Sequence, residues 1–223
     1  MTTVADLSPG QRRSGQPHGH PGVCTMPGTT SPLVASLHVA PVQATPDVEI
    51  QLRFVELANG EIIPWRAIQP SDAIALQEFH ETLSDATIHH RFFHYMPHLS
   101  DRMAHRFTNV DGRNRQALVA LDPANTNRII AVTRIDRNPG TTEAEYAAVV
   151  TDAWQGRGLG KQLSRELIDR ATASGIETLT AEVLPENRHM LHLFRDLGFP
   201  VSITFEDGVA HVRIDLTAIP ASI

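Results

Sequence analysis

The sequence predicts an α+β protein, with a mixed, mostly antiparallel sheet flanked by helices. Three observations lead there. Across residues 48–223, short β-branched runs alternate with segments of helical period. Several consecutive runs are joined by hairpin-type turns, which pair neighbouring strands antiparallel. One strand instead enters a helix through alternating glycines, in Gln155-Gly156-Arg157-Gly158-Leu159-Gly160-Lys161.

The elements follow in order. Residues 51–57 and 61–68 are expected as strands around the hairpin signal Asn59-Gly60. Pro70-Ser71-Asp72 opens a helix to about Leu83, with Ile74, Leu76 and Phe79 as its apolar positions. Residues 85–98 fit neither period cleanly. Ser100-Asp101 caps a short helix ending near Phe107. Residues 116–121 and 128–135 are apolar and β-branched, and the turn 122–127 pairs them antiparallel. Residues 145–151 form a third strand after the Asn138-Pro139-Gly140 turn. Residues 158–174 form a helix with Leu159, Leu163, Leu167 and Ala171 in one stripe, stopped by Gly175. A strand over 177–184 precedes a helix over 186–197, which turns Met190, Leu191, Phe194 and Leu197 inward and stops at Gly198. Residues 201–205 and 209–216 form a closing hairpin around Asp207-Gly208. Residues 1–47 are rich in Pro, Gly, Ser, Thr and Gln without a sustained period, so a disordered tail is expected there. Met26 stands within it as an alternative start.

Composition narrows the function. A hydrophobic share of 41% over 223 residues is enough for a real core. A net charge of -6 gives no electrostatic footprint for nucleic acid. It suits a cationic substrate such as an amine. Cys24 is the single cysteine, so no intrachain disulfide forms. No apolar run approaches the ~20 residues that span a bilayer. No charged region leads into an apolar core at the N-terminus, so no secretory signal is expected. The expected location is cytoplasmic, with neither membrane nor nucleic acid as partner.

The glycine-rich turn carries the chemistry. Gly156, Gly158 and Gly160 allow backbone to approach a ligand closely. The N–H groups of a helix N-terminus converge there with partial positive charge, and Arg157 and Lys161 add full charges. This is an anion cradle suited to pyrophosphate. Other nucleotide motifs fail. A P-loop requires Gly and Ser or Thr where Gln155 and Gln162 stand, and the dinucleotide fingerprint has a different glycine spacing.

The run 149–161 resembles the acetyl-CoA motif of the GNAT superfamily of N-acetyltransferases, Q/R-x-x-G-x-G/A, with Gln155, Gly158 and Gly160 at its fixed positions. Pro185-Glu186-Asn187, followed by Leu197-Gly198-Phe199, resembles the superfamily's second segment, in which an Asn at a helix start contacts the cofactor. The likeness covers roughly residues 61–216 and implies a GNAT-like sheet. A narrower likeness lies in Arg91-Phe92-Phe93, Leu99-Ser100-Asp101 and 106–111. These resemble the catalytic domain of bacterial Pat-type protein lysine acetyltransferases, which modify acyl-CoA synthetases. The resemblance implies acetyl-CoA as co-substrate, held by Val149, Val150, Thr151, Gln155, Gly156, Arg157, Gly158, Leu159, Gly160, Lys161 and Asn187. The backbone of residues 149–151 would pair with pantetheine, with the Val149 N–H facing the thioester oxygen.

An amine that attacks a thioester must first be neutral, so a base helps. Glu145 lies four residues before Val149 on the same strand, which puts both on one face. It matches the acidic residue proposed as base in the Pat-type enzymes. Glu143 is the weaker carboxylate candidate. The superfamily's usual tyrosine acid is replaced by Phe194, which cannot donate a proton and is expected in the core. Among His89, His90, His94 and His98, His90 and His94 would share a helical face, yet no zinc spacing follows and no metal is expected. Arg91 with Phe92 and Phe93 reads as packing with one ion pair, and a segment bordering the substrate groove is the alternative. The expected function is N-acetylation of a protein lysine. A small-molecule amine acceptor and a non-catalytic acyl-CoA sensor are the alternatives.

Overall fold

The computed structural model describes residues 51–218. The tail expected over residues 1–47, with Cys24 and Met26, lies outside the described residues.

A single sheet runs through the domain. Its strands are β1 (Arg53–Glu56), β2 (Ile62–Ala67), β3 (Arg115–Asp122), β4 (Asn125–Arg137), β5 (Glu143–Val150), β6 (Thr178–Val183), β7 (Val201–Glu206) and β8 (Val209–Asp215). The order is β1-β2-β3-β4-β5-β6-β8-β7, with every pair antiparallel except β5 and β6. The mixed sheet is thus present, and its one parallel pair is created by the helix that connects β5 to β6. The helices are α1 (Ala73–Glu81), α2 (Asp85–Phe92), α3 (Asp101–Thr108), α4 (Leu159–Ala173) and α5 (Arg188–Asp196).

Local chemistry explains where the elements start and stop. Ser100 Oγ caps α3 by accepting from the Met103 N–H at 3.4 Å. The uncertain stretch from residue 85 is helix α2, because Ser84 caps it in the same way from the Thr87 N–H at 3.2 Å. The helix ends at Phe93, which takes the left-handed conformation with φ 65°. His94 is therefore off the helix, and the shared face expected for His90 and His94 does not exist. The hairpin of β3 and β4 is tighter than the turn expected over residues 122–127, since Asp122 already faces Asn125. Ile74 is 70% exposed, while Leu76, Phe79 and His80 are buried. A helix has one inward stripe, and residue 74 falls on the far side of it.

Each face of the sheet has its own core. On one face, α4 and α5 cover Leu118, Ile135, Tyr146 and Leu179. Their buried stripe of Leu159, Leu163, Leu167 and Ala171 follows the sequence pattern. On the other face, α1, α2 and α3 cover Ala117, Val119 and Val132. Phe194 is fully buried, edge-on to Tyr146 with ring centres 5.5 Å apart. Phe194→Ala is expected to cost about 3–5 kcal/mol. That is a fall in melting temperature on the order of 10 °C, measurable by calorimetry.

Candidate active site

The site begins with a break in the sheet. β5 and β6 pair only from Glu143–Thr178 to Glu145–Thr180, and beyond that β5 runs on without β6 as ladder partner. The direction of its backbone groups follows from the register with β4. Thr151 N–H donates to the Ile130 carbonyl at 2.9 Å, and the β4–β5 register has no shift. In an antiparallel ladder alternate residues point the same way, so Glu145, Ala147 and Val149 bond toward β4. Tyr146, Ala148 and Val150 turn theirs the other way, where the last β6 pair, Glu145–Thr180, engages the Tyr146 N–H and Gln155 engages the Val150 carbonyl. The Val149 amide therefore faces β4 and not a thioester, contrary to the sequence expectation. Ala148 and Val150 present the open backbone edge.

At the far end of that edge lies the glycine turn. Gly156 and Gly158 have φ of 72° and 86°, which side-chain-bearing residues rarely adopt, and space above both is open to 4 Å. Gly158 is the N-cap of α4, and among the described residues no side chain caps that end. The first N–H groups of this 15-residue helix are thus open, an arrangement that suits an anion. Lys161 sits in its first turn. The turn is braced from behind: Gln155 Nε2 donates to the Val150 carbonyl at 3.0 Å and to Thr87 Oγ1 at 3.1 Å. Gly160 is held by Ser164 Oγ, which donates to its carbonyl at 2.5 Å and accepts from the buried Tyr146 hydroxyl at 2.6 Å. Burial is the larger influence on the Tyr146 phenol and pushes its pKa up, so it stays protonated.

A cleft of about 730 Å³ opens along the gap, lined among others by Glu145, Ala148, Glu182, Asn187 and Phe194. Glu145 is exposed on the α1–α3 face, while Tyr146 beside it faces α4 and α5. Helix α2 closes the cleft on the Glu145 side with His90 and Arg91. It is fastened there through Asp152, which accepts from Ser84 N–H at 3.0 Å, Ser84 Oγ at 2.7 Å and Thr87 Oγ1 at 2.9 Å. Burial alone would raise the Asp152 pKa, but these donors outweigh it and hold the carboxyl below its usual range.

A strand edge left open beside an uncapped, glycine-lined helix start fits a long ligand with a phosphate at one end. Residues 76–199 match the model of the acetyltransferase (GNAT) family, more than half of the chain. The chain belongs to this family. It is an acetyl-CoA-dependent acetyltransferase of GNAT type. The GNAT domain of S. lividans PAT is 36% identical, with a TM-score of 0.68 over 74% of this chain and 96% of that one. An acetyltransferase of Pseudomonas aeruginosa is 28% identical over 144 residues, which span 64% of this chain and 77% of its own. An L-methionine sulfoximine/L-methionine sulfone acetyltransferase of the same species is 40% identical over 58 residues, 26% of this chain and 34% of its own.

Within this GNAT domain the expected residues divide by role. Gly156, Gly158, Gly160 and Lys161 meet at the α4 start. Gln155 braces the loop. Leu159 is 1% exposed, so its side chain belongs to the core and only its N–H faces outward. Arg157 is turned aside: its guanidinium reaches Glu61 at 3.4 Å and stacks over Trp154 at 4.7 Å. Asn187 Oδ1 caps α5 by accepting from the Met190 N–H at 3.2 Å, and the residue also lines the cleft. The Thr151 amide is taken by β4, and its buried Oγ1 has no partner among the described residues. Glu143 is bound to Arg213 at 2.5 Å, which removes it as a free carboxylate. Arg91 has no ion pair among the described residues, against the one expected; it rests on Phe92 at 5.0 Å. Sequence reading missed Asp152, Thr87, Tyr146 and Ser164. Each acts through a partner 18 to 68 positions away, a separation at which no local pattern exists.

Proposed function

We propose that this enzyme moves an acetyl group from acetyl-CoA to the amine of a protein lysine, with an acyl-CoA synthetase lysine as the first acceptor to test. One observation carries the transfer reading: the open β5 edge joins the phosphate-suited start of α4 to the carboxylate of Glu145. The residues fit the co-substrate, which supplies an activated thioester. The α4 N–H groups, Gly156, Gly158 and Lys161 hold its phosphates. Ala148 and Val150 offer backbone groups to its pantetheine arm and N–H donors to charge that builds on the carbonyl oxygen. Glu145 takes the proton from the attacking amine, directly or through water; as the C–N bond forms, the C–S bond of the thioester breaks and CoA leaves as a thiolate, which takes a proton from water. Phe194, buried as it is, plays no part in proton transfer.

The lysine acceptor is supported by the Pat-type segment from Arg91 to Asp111 and by the likeness to the PAT domain. A second reading, a small-molecule amine, is favoured by the local match to the methionine sulfoximine acetyltransferase. The retained Glu145 speaks against a non-catalytic sensor. Thioester turnover with acetyl-CoA against a panel of lysine peptides, an acyl-CoA synthetase and free amino acids tests all three. Peptide or synthetase acetylation is the expected result. Turnover with free amines only would establish the second reading, and acetyl-CoA binding without any turnover the third.

A further inference from the structure

Arg91, in the last turn of α2, has no role in the transfer just described. It is only partly exposed, and burial, followed by the charge of Arg134, lowers its pKa to about 10. It is still fully charged at neutral pH. Glu145 and Asp136 act on its charge only from beyond ion-pair distance, no carboxylate among the described residues bonds to it, and its guanidinium rests on the Phe92 ring, 5.0 Å away. Arg134, nearby, is different: Asp136 accepts from it at 3.0 and 3.1 Å. A half-buried cation with no carboxylate bonded to it is costly, and an anion that entered beside it would lower that cost.

Two cavities meet at this side chain. Arg91, Phe92 and Ala147 line both. One is the cleft of about 730 Å³ that holds Glu145. The other, narrow, lies under α1–α3 among Leu76, Phe79, Leu83 and Phe107, and no carboxylate among the described residues lines it. The acceptor side thus offers a carboxylate to an amine, a guanidinium one cavity wall away, and an apolar slot beside them. We infer that Arg91 binds a carboxylate that the acceptor carries close to its reactive amine. The planar guanidinium suits this, since it can meet both carboxylate oxygens at once. The carboxylate has two sources, the α-carboxylate of a free amino acid or an acidic residue next to a target lysine. The inference rests on the amine-acylation reading and names what that acceptor looks like.

Calorimetry on the full chain saturated with CoA separates the possibilities. Two matched pairs are titrated: L-leucine against L-leucinamide, and the blocked dipeptide Glu-Lys against Gln-Lys. The carboxylate member of one pair is expected to bind about 10- to 100-fold tighter, the range for a hydrogen bond to a charged group. Preference in the leucine pair identifies a free amino acid, and preference in the peptide pair a protein. The ratio should fall to near one in Arg91→Met and be partly kept in Arg91→Lys, with melting curves confirming that both variants fold. If Arg91→Met does not fold, the wild-type ratio and the Arg91→Lys variant still decide. No preference in either pair, or a preference that survives Arg91→Met, overturns the inference. So does an Arg91-dependent preference for succinyl-CoA over butyryl-CoA alone, which would assign the residue to the acyl chain. Failure to bind CoA at all would overturn the transferase reading and this inference with it. CoA binding without a carboxylate preference overturns this inference alone.

Discussion

Glu145→Gln is expected to slow acetyl transfer by roughly 10²- to 10⁴-fold, the usual loss for a missing general base, while acetyl-CoA affinity stays nearly constant. Glutamine keeps the shape and hydrogen bonding of the side chain but takes no proton near neutral pH. The side chain stands on the α1–α3 face of β5, among the residues that line the cleft, and away from the start of α4. Its loss should therefore fall on the chemical step. The defect should shrink as pH rises, because a growing share of the amine, with an unperturbed pKa near 10.4 for lysine, arrives already neutral. Rate against pH for the variant and the wild type is the measurement. A wild-type rate at every pH would remove Glu145 from the mechanism. Suspicion would then pass to Glu182, the other carboxylate on the cleft, because Glu143 is held by Arg213.

Gly158→Asp is expected to weaken acetyl-CoA binding by roughly 100-fold, about the worth of one or two charge-assisted hydrogen bonds. The position is the N-cap of α4 at φ 86°. An aspartate there can cap the helix with its own carboxylate, so the fold should survive, less about 1–2 kcal/mol for the left-handed backbone. The same carboxylate occupies the N–H groups meant for phosphate and repels it. Calorimetry should show the lost affinity, and a melting curve should show a domain that still unfolds cooperatively. Unchanged affinity would place the phosphates elsewhere.

Much of this was legible because it is local. The α4 stripe from Leu159 to Ala171, the Ser100 cap and the Asp207-Gly208 hairpin depend on residues within a few positions of each other. The glycine turn belongs with them, since its geometry is set by neighbouring residues at a helix start. Where local reading failed, the cause was also definite. Ile74 is apolar but lies off the buried stripe. Residues 85–92 lack a clear apolar period, and their helix is set by a Ser84 cap that Asp152 holds from across the domain.

The sequence by itself determined the order of most elements, the mixed sheet, the glycine-rich turn before α4 and the carboxylate on β5. Each rests on periodicity, turn chemistry or spacing along one strand. Only the tertiary structure decided which backbone groups face the ligand. That depends on the β4–β5 register, and a ladder direction is shared by alternate residues, so the open edge belongs to Ala148 and Val150 rather than Val149. It also decided that Arg157 turns to Glu61 and Trp154, and that Arg91 has no ion-pair partner among the described residues where two cavities meet. A charged side chain is long and flexible, and its partner is settled by whichever distant segment folds against it.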